Sequence, residues 1–433
     1  MVSRLQAIRG MNDLLPAQSA KWRQVEASLI QVLYQYSYEE IRFPLLESTQ
    51  LFKRTIGEVT DIVEKEMYTF IDRNEESVTL RPEGTAGCIR ACLEHGLLYN
   101  QTQRLWYLGP MFRHEKPQKG RYRQFTQLGI EALGFNGTAI ELELLSINQR
   151  FWKMLGLDKL LRLELNTLGT LEERKHYRQK LVEFFTKQID VLDAESKHRL
   201  EKNPLRILDS KREEMQPLIE KAPKFLDFLG LESGKRFDSL CKGLEDMGIP
   251  FVLNPRLVRG LDYYGHTVFE WVHPNLGSQA TLSAGGRYDA LTKQLGGQET
   301  PAVGCAIGLD RLLLALEATK EEQLSTKNPF CFLMTDNECF LTEIIKLAEE
   351  LRDANQNWSI LVNPSVGSFK SQFKKADKSG AALALILGEN ETNNQEISVK
   401  HLRQEMPQTR ISRLQLIDYL QSYFHRMNEK QEA

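Results

Sequence analysis

Between Thr167 and Asp246 the chain changes character. The flanking sequence reads as short strands joined by turns, whereas this block is almost wholly helical in pattern and densely charged, as in Glu172-Glu173-Arg174-Lys175-His176-Tyr177-Arg178. Strand-rich sequence resumes at Gly248-Ile249-Pro250-Phe251-Val252-Leu253. The block therefore reads as a helical subdomain inserted at about residues 170–246, and not as one link of a repeating unit.

The elements around the insertion do not alternate as in a doubly wound fold. Trp22, Val25, Leu29, Val32, Leu33 and Tyr36 recur at three- and four-residue steps and predict an amphipathic helix over Ala17 to Tyr36. Glu39 to Phe43 reads as a strand, with Pro44 removing a donor where it ends or lies at an edge. Met67 to Ile71 and Val78 to Leu80 flank the polar turn Asp72-Arg73-Asn74-Glu75-Glu76, so antiparallel pairing is expected. Longer strands follow at Arg104 to Phe112 and Phe125 to Ala132, then a helix at Thr138 to Leu155. The class implied is α+β, an antiparallel sheet flanked by helices. Near the end, the polar run Ala318 to Asn328 separates a first region, residues 1–325, from an α/β domain at 329–433 in which strands and helices alternate.

Composition narrows the function classes. At ~150 residues per domain, 433 residues give about three domains. Fifty-six basic and 58 acidic side chains leave a charge of −2, so a polyanionic partner must be met by local patches. Six cysteines form no CxxC pair, which argues against a disulfide framework or a structural zinc site. The first residues lack an apolar signal region, and no stretch approaches the ~18 apolar residues that span a bilayer. A cytoplasmic protein without a membrane partner is expected.

The densest local charge is at Arg104 to Arg123, where Arg104, Arg113, Lys116, Lys119, Arg121 and Arg123 face Glu115 alone, a net of +5. Trp106, Tyr107, Phe112, Tyr122 and Phe125 interleave with these bases, a combination suited to a nucleotide or a nucleic-acid end. On charge alone a solvated basic hairpin fits equally well. The order of residues adds more. Met111-Phe112-Arg113-His114-Glu115, a loop to Arg123, then Gln124 to Glu131 resemble motif 2 of the class II aminoacyl-tRNA synthetases. Gly304-Cys305-Ala306-Ile307-Gly308-Leu309-Asp310-Arg311 resembles their motif 3, and Tyr38 to Pro44 their motif 1. Leu257-Val258-Arg259-Gly260-Leu261-Asp262-Tyr263-Tyr264 and Ser283-Ala284-Gly285-Gly286-Arg287-Tyr288-Asp289 are similar to signature stretches of the histidyl-tRNA synthetase family. The resemblance covers essentially the whole chain.

That resemblance implies ATP-dependent joining of L-histidine to tRNA(His) through a histidyl-adenylate, by a homodimer using ATP with Mg²⁺ carried on it and no protein-held metal. It implies that Arg113 grips the α-phosphate and the substrate carboxylate, and that Arg259 approaches the α-phosphate from the other side. Glu115 would place the adenine base, between Phe125 and Arg311, with Arg121 on the terminal phosphates. Glu83, Thr85 and Gln127 fall to the histidine amino group, Glu131 and Tyr264, with Tyr263 nearby, to the imidazole, and Gly84 to the histidine site as well. Taken singly, Arg121 also fits a surface salt bridge, and the two tyrosines also fit core packing.

Gly285 and Gly286 would allow close backbone approach beside the ligand, or simply a turn. Leu309, Leu312, Leu313 and Leu316 fall at helical spacing, so only Arg311 of that segment is offered to the site. Two departures from the family pattern stand out: Asp310 where glutamate is usual, and Gly265-His266 after the tyrosines.

For the RNA, the resemblance implies acceptor-end contacts by Lys116, Gln118 and Arg123, and anticodon binding by residues 329–433. There, Lys370, Lys374, Lys375 and Lys378 lie along one helix and could meet phosphates, or form a solvated face. A non-catalytic alternative is the synthetase-like regulatory subunit of ATP phosphoribosyltransferase, which lacks the extra domain and usually degrades the motifs.

Overall fold

A computed structural model describes residues 4–57, 60, 62–208, 210, 212–261, 263–319 and 328–432, with side chains at 278, 279 and 430–432 left aside. Most of the expected linker, residues 320–327, and Asp262 lie outside the described residues. The chain divides into two compact units, Met1–Leu324 and Ser325–Ala433.

The first unit is built on an eight-stranded sheet. Its order is Glu39–Glu40, Gln103–Phe112, Gln124–Leu133, Ala302–Gly308, Thr281–Arg287, Gly265–Val272, Arg162–Thr167 and Phe251–Leu253. Pairing is antiparallel throughout the middle and parallel only at the two edges. The first strand is shorter than its sequence suggests. Ile41 still donates its N–H to Trp106 O at 2.8 Å, but Phe43 O is taken by Arg81 Nη1 at 3.2 Å, which draws the chain off the sheet before Pro44.

Alternation along the strands sends Trp106, Leu128, Ile130, Ala132, Val303, Cys305, Ile307, Phe269 and Trp271 to one face. Helices Pro16–Gln35 and Ala139–Met154 cover that face with Trp22, Val25, Leu29, Leu144, Phe151 and Trp152. Burying such side chains is worth ~1.5–3 kcal/mol each, which makes this the main core. The opposite face carries Leu105, Tyr107, Met111, Val268, Tyr263, Tyr264 and Tyr288 against helix Thr85–Glu94, whose Cys88 and Cys92 are buried. All six cysteines are free. A small antiparallel sheet of Leu46–Ser48, Ser77–Leu80 and Tyr68–Ile71 flanks this side.

The insertion has its own core, from Tyr177, Leu181 and Phe185 to Ile219 and Phe225. Helix Leu231–Asp246, helical as expected, buries Phe237, Leu240 and Leu244 in the main core instead. The insertion's separate packing thus ends near Phe228.

In the second unit the strand order is Ile360–Val362, Cys331–Met334, Leu383–Ile386, Glu396–His401 and Thr409–Ser412. The first three strands are parallel and the last two antiparallel. Helices Leu341–Ala354 and Leu416–Glu432 pack on one face and Phe369–Lys378 on the other, forming an α/β sandwich. Lys370, Lys374, Lys375 and Lys378 are all exposed. Among the described residues no helix is long and apolar enough to cross a membrane.

Candidate active site

Antiparallel register fixes which residues share a row across the sheet. One row reads Tyr107, Gly129, Ala306, Ala284, Glu270, so three small residues lie between a tyrosine and a carboxylate. The next row toward the open end places Gln127 beside Gly308. Small residues on one face leave a hollow, and a cavity of about 260 Å³ lies there. Glu83, Thr85, Arg113, Glu115, Arg121, Phe125, Gln127, Arg259, Tyr263, Tyr264 and Arg311 all line it, gathering most of the residues singled out from sequence.

The guanidinium groups enter from different elements. Arg113 leaves the end of strand Gln103–Phe112, donates from Nε to Pro82 O at 2.8 Å and lies 5.3 Å from the centre of the Phe125 ring. Arg259 comes from the loop after strand Phe251–Leu253, pairs through Nη1 with Glu270 and lies 5.6 Å from the Tyr264 ring. Glu270 is fixed in turn by Thr281, which donates to it at 2.7 Å. Burial works against the Arg259 charge, but Glu270 and the two tyrosines outweigh it and raise its pKa.

Arg311, in the first turn of helix Leu309–Ala318, donates to Gly120 O and Thr281 O, both at 3.1 Å. Burial, with Arg113 and Arg121 nearby, lowers Arg311 to about 10, so it remains a cation at neutral pH. Asp310 does not brace Arg311 directly; its Oδ2 accepts the Thr126 N–H at 2.8 Å, tying this helix to strand Gln124–Leu133. Leu309, Leu312 and Leu313 are buried beneath, as their spacing predicts.

Arg121 forms ion pairs with Glu115 and, at 3.9 Å, with Glu66, so the salt-bridge reading of this residue holds alongside its place on the wall. Glu115 also stands 4.0 Å from Arg113. Lys116, Gln118 and Arg123 do not line the cavity; they belong to the hairpin loop beyond it, where Lys116 and Gln118 are exposed.

The acceptors lie at the other end. Glu83 takes the N–H groups of Thr85 and Ala86, at 2.7 and 2.9 Å, at the start of helix Thr85–Glu94. Burial raises its pKa against those donors. Gln127 Oε1 is buried and meets no donor among the described residues, so it is an open acceptor on the wall.

Glu131 does not line the cavity. It sits one row deeper, where Thr85 Oγ1 donates at 2.8 Å, Tyr107 at 3.1 Å, and Tyr288 closes on the other oxygen. Burial is the main reason its pKa rises to about 8, with Glu83 adding to the effect and the hydroxyls opposing it. Tyr263, Tyr264 and Tyr288 form one aromatic cluster, with ring centres 4.7 to 6.2 Å apart. For Tyr263 and Tyr264, core packing and site lining coincide.

Glycines make this depth available. A Cβ at Gly84 or Gly129 would fall about 2 Å from Tyr107 ring atoms, and one at Gly304 would strike the Glu131 carboxylate. Gly285 serves a different purpose from the one expected: a Cβ there would meet Gly304 O and Cys305 of the neighbouring strand, so it permits close strand contact, not ligand approach. Sequence reading missed Glu270, and it named Tyr107 only as an aromatic interleaved with the bases and Tyr288 only within a signature stretch, with no site role for either. Glu270 carried a signal, a lone carboxylate between Phe269 and Trp271 in an apolar strand. Tyr107 looks like any core aromatic.

The antiparallel sheet, with arginines and buried acceptors lining one hollow on its face, has the form of a class II aminoacyl-tRNA synthetase core. Comparison with known proteins is specific. The histidyl-tRNA synthetase family profile matches residues 10–312, and the anticodon binding domain profile matches 330–423. Histidine–tRNA ligase of Legionella pneumophila (strain Lens) is 56% identical over 423 residues, 98% of this chain and 99% of that protein. The ligase of Coxiella burnetii (strain CbuG_Q212) is 56% identical over 422 residues, 98% of this chain and 100% of that one. The crystal structure of apo S. aureus histidyl-tRNA synthetase superposes with a TM-score of 0.81 at 35% identity, covering 96% of this chain and 100% of its own. A Bacillus halodurans C protein titled as an ATP phosphoribosyltransferase regulatory subunit/histidyl-tRNA synthetase shares the fold at a TM-score of 0.61 and 21% identity, over 87% of this chain and 97% of that one. The chain belongs to the histidyl-tRNA synthetase family.

Proposed function

We propose that the protein attaches L-histidine to tRNA(His) in two steps, through an enzyme-bound histidyl-adenylate. The observation that carries this reading is one cavity holding two guanidinium groups from different walls, Arg113 and Arg259, next to an open buried acceptor at Gln127. In the first step a histidine carboxylate oxygen attacks the α-phosphorus of ATP and pyrophosphate leaves. Two anions must approach each other, and fixed cations on both sides stabilise the charge that builds up between them. In the second step a ribose hydroxyl at the tRNA end attacks the adenylate carbonyl and AMP leaves.

Phe125 and Arg311 provide an aromatic face and a cation for adenine, Glu115 an acceptor for the base, and Arg121 a cation for the terminal phosphates. Glu83, Thr85 and Gln127 receive the substrate ammonium, with Gly84 giving the helix start its room. Tyr264 and the Glu131 layer read the imidazole. Polar groups buried for one side chain penalise any substrate that leaves them unpaired, so selection needs no editing step. Mg²⁺ would accompany ATP, and Arg259 supplies a cation from the protein itself.

The same reading gives residues 1–325 the catalytic role, interrupted by the insertion at about 170–246, and residues 329–433 anticodon binding. Lys116, Gln118 and Arg123 would meet the acceptor end, in a cytoplasmic homodimer. ATP–pyrophosphate exchange with each amino acid in turn tests the proposal. Exchange should depend on histidine; none with histidine, or equal exchange with another amino acid, would overturn it.

A further inference from the structure

Arg259 stands in the loop 254–264, which joins strand Phe251–Leu253 to strand Gly265–Val272. The start of this loop is tied to the sheet. Asn254 donates from its main-chain N–H to Leu165 O at 2.9 Å and from Nδ2 to Glu164 at 2.6 Å, and the buried Asn166 donates to Leu257 O at 2.9 Å. Beyond Leu257 the packing thins. Val258 is only partly buried, Gly260 is exposed, and Val258 and Arg259 each border two further hollows, of about 260 Å³ and about 770 Å³. A ribbon with so few apolar contacts is placed mainly by its polar ties.

Those ties come from the insertion. Arg256, three residues before Arg259, donates from Nη1 to Gln216 Oε1 at 2.7 Å and reaches Glu220 through Nη2 at 3.4 Å. On the other side of Arg259, Arg206 Nη2 donates to Gly260 O at 2.7 Å. Gln216 is a fixed point. Its Nε2 donates to Ser210 O at 2.7 Å and to Arg212 O at 3.1 Å, which leaves Oε1 as the end turned to Arg256. Its chain neighbours Met215 and Leu218 are buried in the insertion's own core, so the amide is mounted on a packed body. Glu220 is exposed, and a solvated pair of that kind holds little, so Gln216 carries the contact.

We propose that Arg256 and Gln216 form a strut through which the insertion holds the Arg259 loop, and that Arg256 is thereby a positioning residue for histidine activation. The inference rests on the histidine-charging reading above and deepens it: the insertion takes part in the adenylate step with no RNA bound. Arg256 does not line the active-site cavity, so it acts through Arg259. Glu270 holds the Arg259 guanidinium from the sheet, while the strut holds the main chain that carries it. Both are needed, because a cation aimed at a reacting phosphorus loses on the order of 10²-fold in rate when displaced by about 1 Å.

The test is histidine-dependent ATP–pyrophosphate exchange by the full-length enzyme without tRNA. Arg256→Ala should lower kcat on the order of 10-fold and leave the KM values for histidine and ATP within about 2-fold. Gln216→Ala, which reaches the same contact from the insertion side, should show the same split. Arg256→Lys keeps a donor for Gln216 and should retain most of the rate. In an Arg259→Ala background neither truncation should lower kcat by more than about 2-fold further, because the group being positioned is gone. Wild-type kcat in both truncations would overturn the proposal. An equal loss with and without Arg259 would also overturn it, since that is the mark of general destabilisation. Absence of histidine-dependent exchange in the wild type would instead overturn the charging reading, and the proposal with it.

Discussion

Replacing Glu131 by glutamine probes the buried layer under the histidine end of the cavity. Glu131 is 1% exposed, and its carboxyl holds its proton up to about 8, against 4.5 for an ordinary glutamate. As pH rises past 4.5 the unfolded chain gives up this proton while the folded chain keeps it. The folded state is then favoured most below 4.5, and this contribution is lost progressively as pH climbs through about 8. At ~1.4 kcal/mol per pH unit, the gap amounts to on the order of 5 kcal/mol as an upper bound. Glu131→Gln keeps the shape and an oxygen for Thr85 and Tyr107 but cannot ionise. Urea unfolding followed through the core tryptophans Trp152 and Trp271 should therefore show the wild type losing several kcal/mol relative to the variant between pH 5 and 8.5. A carboxylic-acid band in the infrared spectrum of the wild type at neutral pH should vanish in the variant. If the two stability curves run parallel within ~0.5 kcal/mol, Glu131 has the same protonation in both states and the reasoning is refuted.

Arg259→Ala should lower the rate of histidine activation by on the order of 10²-fold or more, with a smaller rise in KM for histidine, because its charge is needed most as negative charge builds up at phosphorus. An unchanged kcat in pyrophosphate exchange would remove it from that role. Gly129→Ala drives a methyl into the Tyr107 ring and should destabilise by ~1–3 kcal/mol in thermal unfolding, while Gly308→Ala, whose methyl meets nothing within 4 Å, should stay within ~0.5 kcal/mol. Asp310→Ala leaves the Thr126 N–H without its acceptor and should destabilise by ~1–3 kcal/mol and raise the KM for ATP. Asp310→Asn, which keeps an acceptor, should be milder on both counts.

How much of this could be read in the sequence depended on the range of the interaction involved. The Gln103–Phe112 and Gln124–Leu133 hairpin was legible because period-two alternation and a polar loop are local signals. The arginines were legible because motif residues stand at fixed offsets from such elements. Alternation puts Gln127, Gly129 and Glu131 on one face, but it cannot show that Glu131 lies beneath the wall; that depends on Gly304, distant in sequence. Tyr107 needs Gly84 and Gly129 to make room for it, so its role emerges only when three segments meet. Helix Leu231–Asp246 is amphipathic like the insertion's other helices, and its spacing does not say which core its apolar stripe will join.

The row of small residues under the cavity has a consequence for the range of side chains the pocket could admit. At Gly129 and Gly304 the space above the main chain is already taken by the Tyr107 ring and the Glu131 carboxylate, so a side chain there would only press on those groups. Ala284 and Ala306 could each yield one methyl group at most. Mutation along this row can narrow the set of acceptable substrates but has almost no means of widening it, so a variant that accepts a bulkier amino acid would have to arise from the surrounding wall.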